Sequence, residues 1–291
     1  MPFAAHRPAP RPVARATILL VAAVLLAACR PTTAINAFSP SDHYIKEAGQ
    51  AYGADPRQQL DLYRPTERAD DAPVLVFFYG NGWREAARAD FEFVAAALTS
   101  DGITVLIPDY RAHPQVTFPA FVEDGAAAVR WAMDNIAGVA DGTRPLYLMG
   151  HSAGAQIAAL LALDPRYLAA VTESPPPLAG FIGLSGPYDF LPLDEGYLQT
   201  VFPEETRPQS QPINFVSAAA PRTLLVHGTD DRRVLPEHSR RLAQRLEEEG
   251  VPVTLRMYDG TGHVRVVAAL APPLQFIDDT LDDVVALIRA D

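Results

Sequence analysis

The sequence predicts an α/β protein, with a mostly parallel central sheet, helices on both faces and little or no cap. Three observations predict it. Apolar runs of strand length, such as Val74–Phe78, Ile103–Ile107 and Pro145–Met149, show no polar alternation, so both faces of each strand must be covered. Between them lie segments with apolar residues at helical spacing, and regular strand–helix alternation implies parallel strands joined by helical crossovers. The 291 residues, 48% hydrophobic and 20% charged, suffice for one large core.

The elements follow in order. Ile45–Tyr52 and Gln59–Tyr63 read as an antiparallel pair at a sheet edge. Val74–Phe78 is a buried strand, and Ala86–Leu98 an amphipathic helix. After the strand Ile103–Ile107, the segment Phe118–Ile136 places Phe121, Val122, Ala126, Val129 and Met133 on one helical face. The strand ending at Met149 leads into a helix that runs to Leu163. Further strands fall at Gly180–Leu184, Thr223–Val226 and Val253–Met257, with helices at Pro236–Glu248 and Leu274–Ile288. Pro187–Pro221 is long and Pro-rich and suits either a small cap or a long crossover. No internal repeat or second folded domain is evident.

The N-terminus differs in kind. Arg7, Arg11 and Arg15 precede the apolar run Thr17–Ala28, with no acidic residue among them. The run is shorter than the ~20 residues of a membrane-spanning helix. A basic start, a short apolar core and small closing residues form an export signal over residues 1–28. Its ending, Leu26-Ala27-Ala28-Cys29, resembles the lipobox of bacterial lipoproteins, which implies lipidation of Cys29, the chain's single cysteine. Residues 29–42 are rich in Pro, Ser, Thr and Ala and read as a tether, and 43–291 as the folded domain. The expected location is therefore outside the cytoplasm, on a membrane. Arg30 supplies no aspartate-type retention signal, which points to the outer membrane where a cell has one. The net charge of -11 and the lack of a basic stripe argue against a nucleic-acid partner.

The chemistry centres on Gly150-His151-Ser152-Ala153-Gly154, between a strand and a helix. This is the layout of a nucleophile elbow, which raises a serine above the sheet beside a helix N-terminus. A serine nucleophile needs a base, and the base an orienting acid. His263, in the loop Asp259–His263 after the strand Val253–Met257, reaches the sheet edge where such sites gather. His238, on the helix that follows the preceding strand, would struggle to face Ser152. Asp230 and Asp231, after the strand Thr223–Val226, both qualify as the acid. The Gly-rich loop Tyr79-Gly80-Asn81-Gly82-Trp83 follows Phe78 and can aim backbone N–H groups at an oxyanion, together with that of Ala153.

With these parts in order, the chain resembles the α/β-hydrolase superfamily. It is most similar to small bacterial carboxylesterases of the hormone-sensitive-lipase and kynurenine-formamidase-like type, from about Tyr44 to the C-terminus. The family's H-G-G-G-W loop is matched by Tyr79–Trp83, its D-Y-R motif by Asp109-Tyr110-Arg111, and its H-G-x-x-D-x-x-V motif by His227–Val234. The last match places the acid on Asp231. Tyr79 and Asn81 depart from the pattern, but neither removes a backbone donor. The resemblance implies an esterase with Ser152, His263 and Asp231 as its triad and Asn81, Gly82 and Ala153 as its oxyanion hole. Its substrates would be small-molecule esters, with no metal or cofactor. Amide or formamide hydrolysis by the same triad is the alternative within enzymes, and a catalytically silent ligand-binding lipoprotein the alternative outside them.

Overall fold

The computed structural model describes residues 31–84, 86–193 and 196–290. The export signal and Cys29 lie outside the described residues. Eight strands form one sheet: β1 (Tyr44–Ala51), β2 (Gln59–Pro65), β3 (Val74–Phe78), β4 (Thr104–Pro108), β5 (Leu146–His151), β6 (Leu178–Leu184), β7 (Thr223–Gly228) and β8 (Val253–Tyr258). Their order is β1-β2-β4-β3-β5-β6-β7-β8. Only β1 with β2 and β2 with β4 run antiparallel, and every other neighbouring pair is parallel. Every residue of β3, β4, β5 and β7 is buried. Successive side chains of a strand point to opposite faces, so the sheet is covered on both.

The cover is helical: α1 (Pro31–Ala37), α2 (Glu92–Ser100), α3 (Ala120–Asn135), α4 (Ala153–Leu163), α5 (Pro165–Ala169), α6 (Gly196–Val201), α7 (Glu237–Glu248), α8 (His263–Ala268) and α9 (Thr280–Arg289). α4 lies against β3, β5 and β6 and packs on α3. It is buried nearly all round, as its apolar Ala, Ile and Leu residues require. Arg289 of α9 donates to the Asp101 carboxylate just past α2, at 2.7 Å, joining those two helices.

Three boundaries differ from the sequence reading. The helix expected over Ala86–Leu98 begins at Glu92, after a 3-10 turn at Arg88–Phe91. The Arg88 backbone N–H is donated to Asp109 Oδ1 at 2.7 Å, which fixes the chain there in a side-chain-bonded turn. The helix expected over Leu274–Ile288 begins at Thr280, because Asp278 Oδ1 accepts from both the backbone N–H and the hydroxyl of Thr280 (3.1 and 2.6 Å). Within the segment read as a tether, Pro31–Ala37 is helical and bonded to the domain. Asn36 donates to Ala89 O at 2.7 Å and accepts from Phe93 N at 3.0 Å.

The antiparallel edge is held by charge. Asp61 on β2 is almost fully buried and accepts from Arg88 Nε at 2.7 Å and from Gly49 N at 2.9 Å, with Lys46 Nζ at 3.4 Å. Lys46 also reaches Glu92 at 2.7 Å. Burial would raise the Asp61 pKa, but the Arg88 and Gly49 hydrogen bonds and the two cations hold it below the usual carboxylate range.

Candidate active site

The ends of β3, β5, β7 and β8 bring the sequence-predicted residues together. Ser152 follows β5 and adopts φ 56°, ψ -124°, a left-handed conformation rare for any residue but glycine. Its N–H is tied to Leu184 O at 2.9 Å, and its carbonyl accepts from Ala155 N at 2.9 Å as α4 begins. Gly154 makes the close turn possible, since a Cβ there would lie 2.0 Å from Phe78 O.

His263 opens α8, where the sequence reading had a flexible loop. Its Nε2 lies 2.8 Å from Ser152 Oγ and its Nδ1 2.7 Å from Asp231 Oδ2. Asp231 is buried whereas Asp230 is exposed, so the geometry separates the two candidates. Asp231 Oδ1 accepts from the backbone N–H groups of Arg233 and Val234 at 2.9 and 3.0 Å. Burial alone would raise its pKa. The hydrogen bonds from His227, His263 and Val234 outweigh that and hold it far below the usual carboxylate value, so Asp231 is ionised at any working pH. Ser152 and His263 are 8% and 9% exposed, enough to be reached from solvent while most of their surface is dry. His238 stays on α7, and it is His263 that reaches Ser152.

His151 also joins the site. It is buried, its Nε2–H donates to the His263 carbonyl at 3.0 Å, and the two rings lie 4.9 Å apart. Burial, then the neighbouring His263, push its pKa down to about 3, so it is neutral and acts as a prop for the base.

The loop at residues 79–83 lies directly against the nucleophile. A Cβ on Gly80 would sit 2.6 Å from both Ser152 Cβ and His151 O, so only glycine allows this approach. Asn81 is exposed, and Gly82 and Trp83 both have positive φ (61° and 54°). Ala153, the first residue of α4, is buried. Side chains brace the loop. Tyr79 is fully buried between Phe91 and Tyr110, and its hydroxyl donates to Asp109 Oδ1 at 2.6 Å. Tyr110 donates to Tyr79 O at 2.7 Å. Trp83 Nε1 donates to Gln156 Oε1 at 3.0 Å, and its ring packs edge-on against Phe202, 4.8 Å between centroids. The motif residues Asp109, Tyr110 and Trp83 are thus packed in the core under the site. Gln156 was not singled out from the sequence; its signal is a polar residue on the otherwise apolar helix α4.

The Pro-rich segment after β6 forms α6 and two 3-10 turns, Glu204–Ser210 and Pro212–Phe215, before β7. It folds over the loop as a crossover. The Tyr197 hydroxyl lies 2.8 Å from where a Cβ on Gly82 would be, and Gln156 Nε2 donates to Ser210 O at 2.9 Å. Among the described residues, no group of three His, Cys, Asp or Glu side chains is placed to hold a metal ion.

A mostly parallel sheet in this strand order, an elbow serine after β5 and a Ser–His–Asp line across the ends of β5, β7 and β8 define an α/β-hydrolase. The chain belongs to the BD-FAE family, whose model matches residues 60–246. It is 31% identical over 264 residues to a probable isoprenylcysteine alpha-carbonyl methylesterase of Oryza sativa subsp. japonica, covering 82% of this chain and 62% of that protein. The chain therefore spans less than two thirds of that relative's length. It is 26% identical over 227 residues to a kynurenine formamidase of Salmo salar, covering 75% of each. Among solved structures, an inhibited esterase B of Lactobacillus rhamnosis superposes with a TM-score of 0.75 at 20% identity, covering 94% of this chain and 96% of that one, which establishes the shared fold.

Proposed function

We propose that this chain is a serine hydrolase that cleaves small carboxylic esters through an acyl-enzyme on Ser152. The observation that carries the reading is the hydrogen-bonded line Asp231–His263–Ser152, with contacts of 2.7 and 2.8 Å. Ser152 Oγ attacks the acyl carbonyl while His263 Nε2 takes its proton. The C–O bond to the alcohol then breaks and the alcohol leaves with that proton. Water, deprotonated in turn by His263, attacks the acyl carbon; the bond from that carbon to Ser152 Oγ breaks, Oγ takes the proton back from His263, and the carboxylic acid leaves. Asp231 keeps the His263 Nδ1–H directed away from the serine and stabilises the transient imidazolium. The backbone N–H groups of Asn81, Gly82 and Ala153 stabilise the oxyanion, set in place before reaction by the braces on Tyr79 and Trp83. The long crossover between β6 and β7 carries a six-residue helix and two 3-10 turns rather than a large cap, which favours small acyl groups over long-chain lipid.

A fluorophosphonate probe tests this. It is expected to label the wild-type chain and not Ser152→Ala, and labelling should fall in parallel with hydrolysis of short-chain aryl esters. A wild-type chain that neither labels nor hydrolyses would be a silent binding protein. Formamide hydrolysis is the second reading, favoured by the likeness to kynurenine formamidase. It is supported instead if an aryl formamide is cleaved faster than the matched acetate ester.

We further infer that the chain is exported and anchored by lipid on Cys29. Support comes from the basic start, the apolar run and the Leu26–Cys29 ending. Two acyl chains suffice for stable attachment, at about 0.8 kcal/mol per buried CH₂. Cys29→Ser is expected to leave the membrane fraction and to incorporate no labelled palmitate. Wild-type fractionation of that variant would remove the anchor.

A further inference from the structure

Asp231 serves two histidines. His227, the penultimate residue of β7, is fully buried. Its Nε2 lies 3.2 Å from Asp231 Oδ2 and 2.9 Å from Val234 O. Both of those atoms can only accept, so Nε2 carries the proton. Nδ1 then accepts from the Ser239 hydroxyl of α7 at 2.7 Å. The oxygen reached by His227 is the same one that accepts from His263 Nδ1. Ester hydrolysis by a triad needs one histidine on its acid and does not call for the second.

We propose that His227 is a positioning residue that sets the basicity of His263 by sharing Asp231 Oδ2. The inference rests on the triad reading above. With Oδ1 pinned by the Arg233 and Val234 amides and Oδ2 by His227, the carboxylate plane is fixed without any contribution from His263. The His227 N–H also draws off part of the negative charge that would otherwise stabilise the His263 imidazolium. Other titratable groups around His227 do not compete for this role. Asp231 remains ionised. His151, beyond the His263 ring, is held neutral by burial. His238, on α7 beside Ser239, has its pKa lowered by burial and then by His227 itself, with Asp189 opposing and Arg241 adding to the fall.

The test compares two variants of opposite character. His227→Phe keeps the ring volume and removes the donor. His227→Gln loses the ring and keeps an N–H near the Nε2 position. The pH profile of kcat/KM on one aryl ester is the readout. In His227→Phe the acid limb should move to higher pH by roughly half a unit to one unit, because Asp231 then holds the His263 proton more tightly, and kcat should fall about tenfold. In His227→Gln both should stay close to wild type. An unmoved limb in a folded His227→Phe, or a Gln variant as impaired as Phe, overturns the proposal and leaves His227 as packing. A third measurement does not depend on the variants folding. Nitrogen-15 shifts of the wild-type imidazoles should show His227 as the Nε2–H tautomer throughout the active pH range, and an Nδ1–H or doubly protonated ring would also overturn it. Failure of the triad itself would appear separately, as Ser152→Ala retaining activity.

Discussion

At Ser152 the main chain does the positioning. The residue takes a left-handed φ, its N–H is bonded to the end of β6, and Gly154 lets α4 start against the carbonyl of Phe78. The loop at residues 79–83, which faces it, is positioned by side chains drawn from distant parts of the chain. Asp109 and Tyr110 hold Tyr79, and Gln156 and Phe202 hold Trp83. Main-chain positioning tolerates few residue types at few places. Side-chain bracing spreads the same task over many residues, each individually replaceable at modest cost. Damage to the first region should therefore be abrupt, and damage to the second graded.

The largest expected effect falls on the acid behind Ser152, which fixes the base that serves it. Asp231→Asn should lower kcat by about 10⁴, because His263 loses its charge partner and its fixed tautomer. Asp230→Asn, at an exposed position one residue away, should change kcat little. The reverse ranking, measured on folded proteins with one aryl ester, would move the acid to Asp230.

Asn81 probes the loop at an intermediate scale. Asn81→Pro removes a backbone donor and should reduce kcat by about 10²–10³. Asn81→Ala keeps the donor and should retain most activity. If alanine is as damaging as proline, the contribution of Asn81 lies in its side chain, and the loop is held and used in the same way.

The same contrast explains what was legible in the sequence. The elbow could be read from five adjacent residues, because a tight strand-to-helix turn imposes its residue types locally. Strand positions were legible because full burial leaves unbroken apolar runs. The choice between Asp230 and Asp231 could not be made from the residues alone, since both follow the same strand and only burial distinguishes them; the H-G-x-x-D-x-x-V match pointed to Asp231. The start of α2 was missed because it depends on a hydrogen bond from Arg88 N to Asp109, 21 residues away. Gln156 and the second histidine on Asp231 were missed for a related reason. Their partners meet only after the sheet has assembled, and no local pattern announces them.

Lys46 carries a practical consequence. It is the chain's single lysine, it lies in the paired strand β1, and its ammonium group is engaged by Glu92 and Asp61. A lysine-specific protease thus has one peptide bond to cut in this sequence, inside a hydrogen-bonded ladder. Cleavage there would require β1 to peel from β2, so the rate of appearance of a single nick would time the opening of that edge.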